Sequence, residues 1–229
     1  EGLFALADAH GCSLIGGDTT RGPLNICITV MGEVPPGQAL LRSGAQVGDD
    51  VYVSGTLGDA ALALRGLQGQ VQLPPALLAQ ARQRLEQPTP RVALGLALRG
   101  VATAAADVSD GLLGDLGHIL AQSGVGATVD ADIAMQLIAA RAYFTGASGL
   151  FDTKIPALLA MQCVLAGGDD YELVFAAPPA RAAAVQAAAQ ATATPVTRIG
   201  CIDAAPGLRL LDAHGQPLPG DWKSFDHFA

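Results

Sequence analysis

Aspartates recur at glycine-bearing turns along this chain, and their spacing points to metal-assisted phosphate chemistry. The first turn is Leu14-Ile15-Gly16-Gly17-Asp18-Thr19-Thr20-Arg21-Gly22-Pro23, where two apolar residues lead into two glycines and then a carboxylate, two hydroxyls and a guanidinium. The second is Ala106-Asp107-Val108-Ser109-Asp110-Gly111, and the third is Gly167-Gly168-Asp169-Asp170-Tyr171-Glu172. Glycine lets a backbone approach a ligand closely. Short carboxylates at loop tips suit a hard, oxygen-seeking cation such as magnesium. We expect the three turns to meet around a magnesium–nucleotide complex.

Each turn also has a plainer reading. Ser-Asp-Gly before an apolar helix is an ordinary helix cap. Capping needs only one carboxylate, however, and Asp107 stands three residues before Asp110. Two carboxylates held close repel unless a cation or proton lies between them. Asp107 and Ser109 share a face if the segment is extended. Asp18 and its threonines can bond their own backbone, and Arg21 can pair with Asp18 or with a phosphate. Arg42, in Leu41-Arg42-Ser43-Gly44, reads by itself as a solvated surface charge. Acids in a run are usually a solvated turn, but those at 169–172 abut an apolar strand and so sit at a strand edge.

The elements that must position these turns follow from apolar spacing. Residues 1–10 suit a short helix with Gly11 as its stop. Strands are expected at 12–15 and 24–34, the latter from Ile26, Ile28 and Val30 alternating with polar or small residues. Pro35-Pro36-Gly37 is the expected domain boundary, giving domains 1–37 and 38–229. Beyond it we expect strands at 51–53, 104–108, 126–129, 171–176, 196–202 and 208–211. Helices are expected at 60–66, 76–87, 92–98, 112–122, 132–147 and 180–191, with 155–165 ambiguous. In 76–87 the apolar stripe is Leu77, Leu78, Ala81 and Leu85, with Arg82, Arg84 and Glu86 outside it. The tail 221–229 carries Trp222, Phe225 and Phe228, either sealing the core or stacking on a flat heterocycle. Strands mixed with helices give an α/β or α+β class.

Composition excludes several functions. The net charge of −8 and the lack of a Lys/Arg cluster argue against nucleic acid and anionic membranes as partners. Half of the residues are apolar but only 4% are aromatic, so the core is aliphatic. No run reaches the roughly 18 apolar residues of a membrane helix. Cys12, Cys27, Cys163 and Cys201 are far apart, without C-x-x-C, and are expected as free, mostly buried thiols of a cytoplasmic protein. The four histidines show no metal-ligand spacing. No P-loop, G-x-G-x-x-G or G-x-S-x-G motif occurs.

The order and spacing of Leu-Ile-Gly-Gly-Asp-Thr-Thr-Arg-Gly-Pro (14–23), Leu-Arg-Ser-Gly-Ala (41–45), Asp-Val-Ser-Asp-Gly-Leu (107–112), Gly-Gly-Asp-Asp-Tyr-Glu-Leu (167–173) and Asp-Trp-Lys-Ser-Phe-Asp-His-Phe (221–228) resemble the thiamine-monophosphate kinases, end to end. That family sits in the superfamily of aminoimidazole-ribonucleotide synthetase and selenophosphate synthetase. The resemblance implies a two-domain α/β protein, a homodimer paired through its amino-terminal domains, and ATP-dependent conversion of thiamine monophosphate to thiamine diphosphate. It implies magnesium ligands at Asp18, Asp107 and Asp110, and ATP contacts at Gly17, Asp18, Arg42 and Ser109. It implies thiamine-substrate contacts at Asp169 and Phe225. The family commonly has Gly-Gly-Glu-Asp where this chain has Gly-Gly-Asp-Asp, which retracts the carboxylate by ~1.5 Å. The family's amino-terminal segment, with a further Gly-Asp-Asp turn, is absent from these 229 residues. The first domain is therefore expected to be incomplete, and the chain alone to turn over weakly or not at all.

The residues suit that reaction. Phosphoryl transfer needs in-line positioning and charge neutralisation with little covalent work. A phosphate monoester is already anionic at neutral pH, so no general base is required. Two other readings stand beside it: another ATP-dependent enzyme of the same superfamily, and a non-catalytic nucleotide-binding or dimerisation module.

Overall fold

The computed structural model describes residues 1–141 and 157–220, together with Trp222 and Ser224. Contacts divide the chain into Glu1–Ala39 and Leu40–Ala229.

In the first unit, α1 (Gly2–Ala9) is followed by Gly11 in the left-handed region, φ 66°. The expected strands at 12–15 and 24–34 do not form. Their alternation is real, but a strand exists only when a neighbour takes up its amides and carbonyls. The same side chains are exposed: Leu24, Ile26, Ile28 and Val30 are 61–93% accessible.

The second unit is built on one mixed sheet. Its strands are β1 (Asp50–Ser54), β2 (Ala104–Val108), β3 (Gly126–Asp130), β4 (Glu172–Ala177), β5 (Val196–Asp203) and β6 (Gly207–Leu211). Their order is β2-β4-β1-β5-β3-β6; all neighbours are antiparallel except β3 and β6. The turn at Ala205-Pro206-Gly207 therefore makes no hairpin, because β3 lies between β5 and β6.

Alternation along the strands feeds two cores. Val51 and Val53, Ala104, Ala106 and Val108, and Val174 and Ala176 face the larger one. That face is covered by α2 (Asp59–Leu67), α3 (Pro75–Glu86), α5 (Leu112–Ser123) and, further along, α7 (Ala157–Ala166). Tyr52, Ala105 and Phe175 face the smaller core, under α4 (Val92–Ala97) and α8 (Ala182–Ala191). Tyr52 and Phe175 are register partners, and their rings stack at 5.3 Å.

The helices follow their apolar spacing. In α5, Leu112, Leu116, Ile119 and Leu120 are buried, and Gly124 at φ 66° ends the helix. Pro75 opens α3, where a missing amide costs nothing.

The expected helix 132–147 is replaced over its first residues by α6 (Ala131–Ala134) and the 3-10 turn Met135–Leu137. The cause is Asp59, whose carboxylate takes the amides of Ala139 and Ala140 at 3.1 and 3.3 Å and draws them out of helical bonding. Residues 138–140 are non-helical and Arg141 is helical again, while 142–147 of that expected helix, the start of 155–165, and Phe225 and Phe228 of the tail lie outside the described residues.

All four cysteines are free, but Cys12 and Cys27 are exposed, so the expectation of mostly buried thiols holds for Cys163 alone in full.

Candidate functional site

The second and third acidic turns meet at one edge of the sheet. β2 and β4 are neighbours, so the loop leaving β2 and the loop entering β4 lie side by side. The Asp169 amide donates to the Ser109 carbonyl, and the Tyr171 amide donates to the Val108 carbonyl, both at 2.9 Å. Gly168 makes this approach possible. A Cβ there would collide with the Ser109 carbonyl and stand 3.2 Å from the Asp110 Cα.

Asp107 is the exposed position of an otherwise buried strand. It shares the sheet face of Ala105, which faces the smaller core. Asp110 is not the cap of α5. The cap is Gly111, which supplies no side chain. Asp115, within the first turn of α5 and 2% exposed, accepts instead from the amides of Ser109, Asp110 and Gly111 at 2.9, 3.1 and 3.2 Å. Burial raises the Asp115 carboxyl above its usual range, the three amides oppose that, and the Asp110 charge adds to it. Replacing Asp115 with alanine strands three amides, two of them only part-buried. We expect a loss of about 2–3 kcal/mol, read from urea unfolding.

The run 169–172 is not a solvated turn. Only Asp169 and Tyr171 reach outward; Asp170 and Glu172 are 0% exposed. Asp170 accepts from the Gly58 amide at 2.7 Å and from Ala60 at 3.4 Å, at the start of α2. Glu172 accepts from Arg84 at 2.7 Å, from Arg91 through two bonds of 2.6–2.7 Å, and from the Ser54 hydroxyl at 2.6 Å. The hydrogen bond to Glu172 holds the Arg91 guanidinium above its ordinary pKa. Arg84, expected outside the stripe of α3, points inward and also donates to the Asp170 carbonyl at 3.0 Å. The backbone between these anchors is strained: Asp169 and Tyr171 have φ of 69° and 51°. Aspartate tolerates the left-handed region, but a bulky aromatic is an outlier there.

Burial pushes the Asp170 carboxyl up to about 7, with the neighbouring Asp59 charge adding and the amides and Arg84 opposing. An acid raised in the folded state favours the proton-bound fold. Its stabilisation is full below the unfolded value of 3.8 and is lost as pH rises through about 7. Asp170→Asn has no proton to lose. The stability gap between it and the unaltered chain should therefore shrink, by on the order of 1 kcal/mol or more, from pH 5 to pH 8 in urea titrations.

The carboxylates of the two turns converge electrostatically. Burial first, then Asp169, Asp110 and Asp107, hold the Tyr171 phenol above its ordinary pKa. Its hydroxyl stands 3.5 Å from an Asp169 oxygen. Among the described residues no three His, Cys, Asp or Glu side chains group closely enough to cage a metal. Magnesium does not need such a cage. It binds through one or two carboxylates and completes its shell with water and substrate phosphates. Oxygen donors such as Asp107 and Asp110 fit that demand.

Arg42 is exposed, on a segment pinned beside the sheet. The Leu41 carbonyl accepts from Ala105 of β2 at 2.8 Å. The Ser123 hydroxyl accepts from the amides of Gly44 and Ala45 and donates to the Arg42 carbonyl at 3.2 Å. Gly17 and Asp18 lie in the other unit. Gly16 and Gly17 make no tight turn there, and an Asp18 oxygen accepts from the Thr19 amide at 2.8 Å, the local bonding considered above.

The tail reaches the same loop. Ser224 Oγ accepts from the Gly114 amide at 2.9 Å, at the start of α5. Trp222 packs against the larger core, as a sealing residue does, and its indole N–H finds no acceptor among the described residues. Between them lies an open cavity of about 360 Å³, lined by Leu113, Leu208, Leu210, Leu218, Trp222 and Ser224 among others. Phe225, the expected substrate contact, lies outside the described residues.

Residues 36–212 match the family "AIR synthase related protein, C-terminal domain". The thiamine-monophosphate kinase of Salmonella typhimurium is 42% identical over 231 aligned positions, which cover 100% of this chain and 67% of that protein. The crystal structure of thiamine-monophosphate kinase from Stenotrophomonas maltophilia is 50% identical, with a TM-score of 0.79 over 91% of this chain and 64% of its own. A structure described as AaThiL complexed with AMPPCP and TMP is 26% identical, with a TM-score of 0.62 over 82% of this chain and 54% of that one. The chain thus matches about two thirds of the length of the Salmonella and Stenotrophomonas kinases and about half of AaThiL. The two interlocked acidic turns, the mixed sheet that carries them and an alignment running the whole of this chain agree: the chain belongs to the thiamine-monophosphate kinase family.

Proposed function

We propose that the protein containing this chain transfers the γ-phosphoryl group of ATP to the phosphate of thiamine monophosphate, giving thiamine diphosphate and ADP. The attacking phosphate oxygen forms the new P–O bond as the bond to the β-phosphate oxygen breaks. The observation that carries this reading is the locking of the Asp107–Asp110 loop to the Asp169–Tyr171 turn, within a chain aligned to these kinases throughout.

Asp107 and Asp110 would hold magnesium, and Asp18, by its position in the first motif, would be a magnesium ligand as well. The metal would neutralise phosphate charge so that two anions can come together. Ser109 and Gly17 approach the nucleotide, and Arg42 supplies the guanidinium that ATP phosphates favour. Asp169 and Phe225 contact the thiamine moiety. The attacking phosphate is already ionised at neutral pH, so the absence of a catalytic histidine or lysine from these loops is consistent with the chemistry.

Residues 1–37 form the carboxy-terminal part of an ATP-binding, dimer-forming domain, and 38–229 the second domain of a cytoplasmic homodimer. Among the described residues, no helix is long and apolar enough to cross a membrane.

The test uses the protein at the full length its gene encodes, with ATP, magnesium and thiamine monophosphate, and measures thiamine diphosphate by chromatography. Magnesium-dependent formation of thiamine diphosphate is expected. Nucleotide binding that ignores magnesium, or transfer to another phosphorylated acceptor in preference, overturns the reading.

A further inference from the structure

The chain passes from the interior to the surface and back within three residues at Tyr171. Asp170 and Glu172 are 0% exposed, while Tyr171 is 43% exposed. Both neighbours are anchored. The Asp170 carboxylate is held by the Gly58 amide, its carbonyl by Arg84, and Glu172 by Arg84, Arg91 and Ser54. The Tyr171 amide is fixed to Val108. Between these anchors its backbone is held at φ 51°, where a bulky L-residue loses on the order of 1 kcal/mol or more.

A glycine at this position would relieve the strain. The ring belongs to neither core, so folding gains little from it in exchange. What it does is stand beside Asp169, with its hydroxyl 3.5 Å from an Asp169 carboxylate oxygen. An aromatic face attracts cations, and the Asp169 carboxylate adds to the attraction. A neutral or anionic ring gains nothing from such surroundings.

We propose that Tyr171 is a specificity-determining residue: its ring, with the Asp169 carboxylate at its rim, is the binding face for a flat cationic heterocycle, the thiazolium of thiamine monophosphate. This rests on the reading under Proposed function, because it names the part of that substrate that Tyr171 meets. The phosphate end of the ligand is left to the metal and the Asp107–Asp110 loop. The site thus sorts one molecule by opposite charges at its two ends.

The experiment compares two ligands by calorimetry on the full-length protein with magnesium and a non-hydrolysable ATP analogue. One is thiamine monophosphate. The other is its 3-deaza analogue, in which a neutral thiophene replaces the thiazolium at nearly the same shape. Tyr171→Leu keeps a side chain without Cβ branching at the strained backbone and removes the π-face. We expect it to weaken thiamine monophosphate by about 3- to 30-fold and to leave the neutral analogue nearly unchanged. Tyr171→Phe keeps the face and should stay within about twofold for both.

Equal losses for the two ligands in Tyr171→Leu, as a purely structural role would give, overturn the proposal, and so does an unchanged affinity for both. If the unaltered protein fails to bind thiamine monophosphate, the substrate assignment falls as well. That result is distinguishable because it is seen before any substitution.

Discussion

Replacing Glu172 with alanine should destabilise the second unit by about 3–5 kcal/mol, a large share of the 5–15 kcal/mol typical of a domain. The carboxylate is 0% exposed and receives four charge-assisted or hydroxyl bonds, from Arg84, Arg91 and Ser54. The two arginine side chains are themselves only 18% and 16% exposed. Removing the acid leaves two facing cations with little water to screen them. Gly55 shows how closely this group is packed: a Cβ there would overlap the Glu172 carboxylate, at a backbone φ of 58°. The measurement is the urea midpoint of the alanine variant against the unaltered chain. Neutralising the cations at the same time should restore much of the loss, because a buried ion cluster replaced by apolar groups of similar volume is often neutral. Glu172→Leu combined with Arg84→Met and Arg91→Met is therefore expected to be more stable than Glu172→Ala. It should still perturb the Asp169–Tyr171 turn, since the Arg84 bond to the Asp170 carbonyl is gone. A Glu172→Ala variant as stable as the unaltered chain contradicts the account.

This cluster also marks where the sequence stops being legible. The strands and helices of the second unit follow from alternation at Val51–Val53 or Ala104–Val108 and from the stripe Leu112, Leu116, Ile119, because burial of those faces is what the elements exist to achieve. Buried acids break that rule, and a run of charge in a sequence reads as solvated. Two signals were nevertheless present. Glu172 precedes Val174 and Ala176 at a spacing of two, which puts it on the inward face of β4. Asp115 follows Leu112 by three and precedes Ile119 by four, which puts it on the buried stripe of α5. An acid on an apolar face must find donors, and both did. No comparable signal predicts that Asp170 would serve the start of α2, because its partners are 110–112 residues away. The strands expected at 12–15 and 24–34 failed for the opposite reason. Their pattern states which side chains want burial, but pairing belongs to a neighbour that the pattern cannot name.

Asp107→Asn should lower turnover of the full-length enzyme by on the order of 100-fold or more while changing stability by less than about 0.5 kcal/mol. The separation follows from its position. Asp107 is the exposed residue of β2, on a strand whose other members are buried, so the fold does not depend on it. Its backbone pairs with Leu173 of β4 whatever the side chain. Asparagine preserves the shape and one oxygen but removes the charge that a hard cation requires. The same change at Asp110, at the head of α5, should lower turnover comparably. The Asp115 side chain receives the amides of that loop and stays in place in this variant. The discriminating measurement is a magnesium titration of the rate. Loss of one anionic ligand should raise the magnesium concentration for half-maximal rate at least about tenfold, with rate partly recovered at high metal. A structural or substrate-orienting role predicts instead a fall in rate at every magnesium concentration with the midpoint unmoved. Arg84 and Glu172 variants with residual fold should show that second pattern, because they act on the turn that presents Asp169 and Tyr171 and leave the oxygens of the Asp107–Asp110 loop in place.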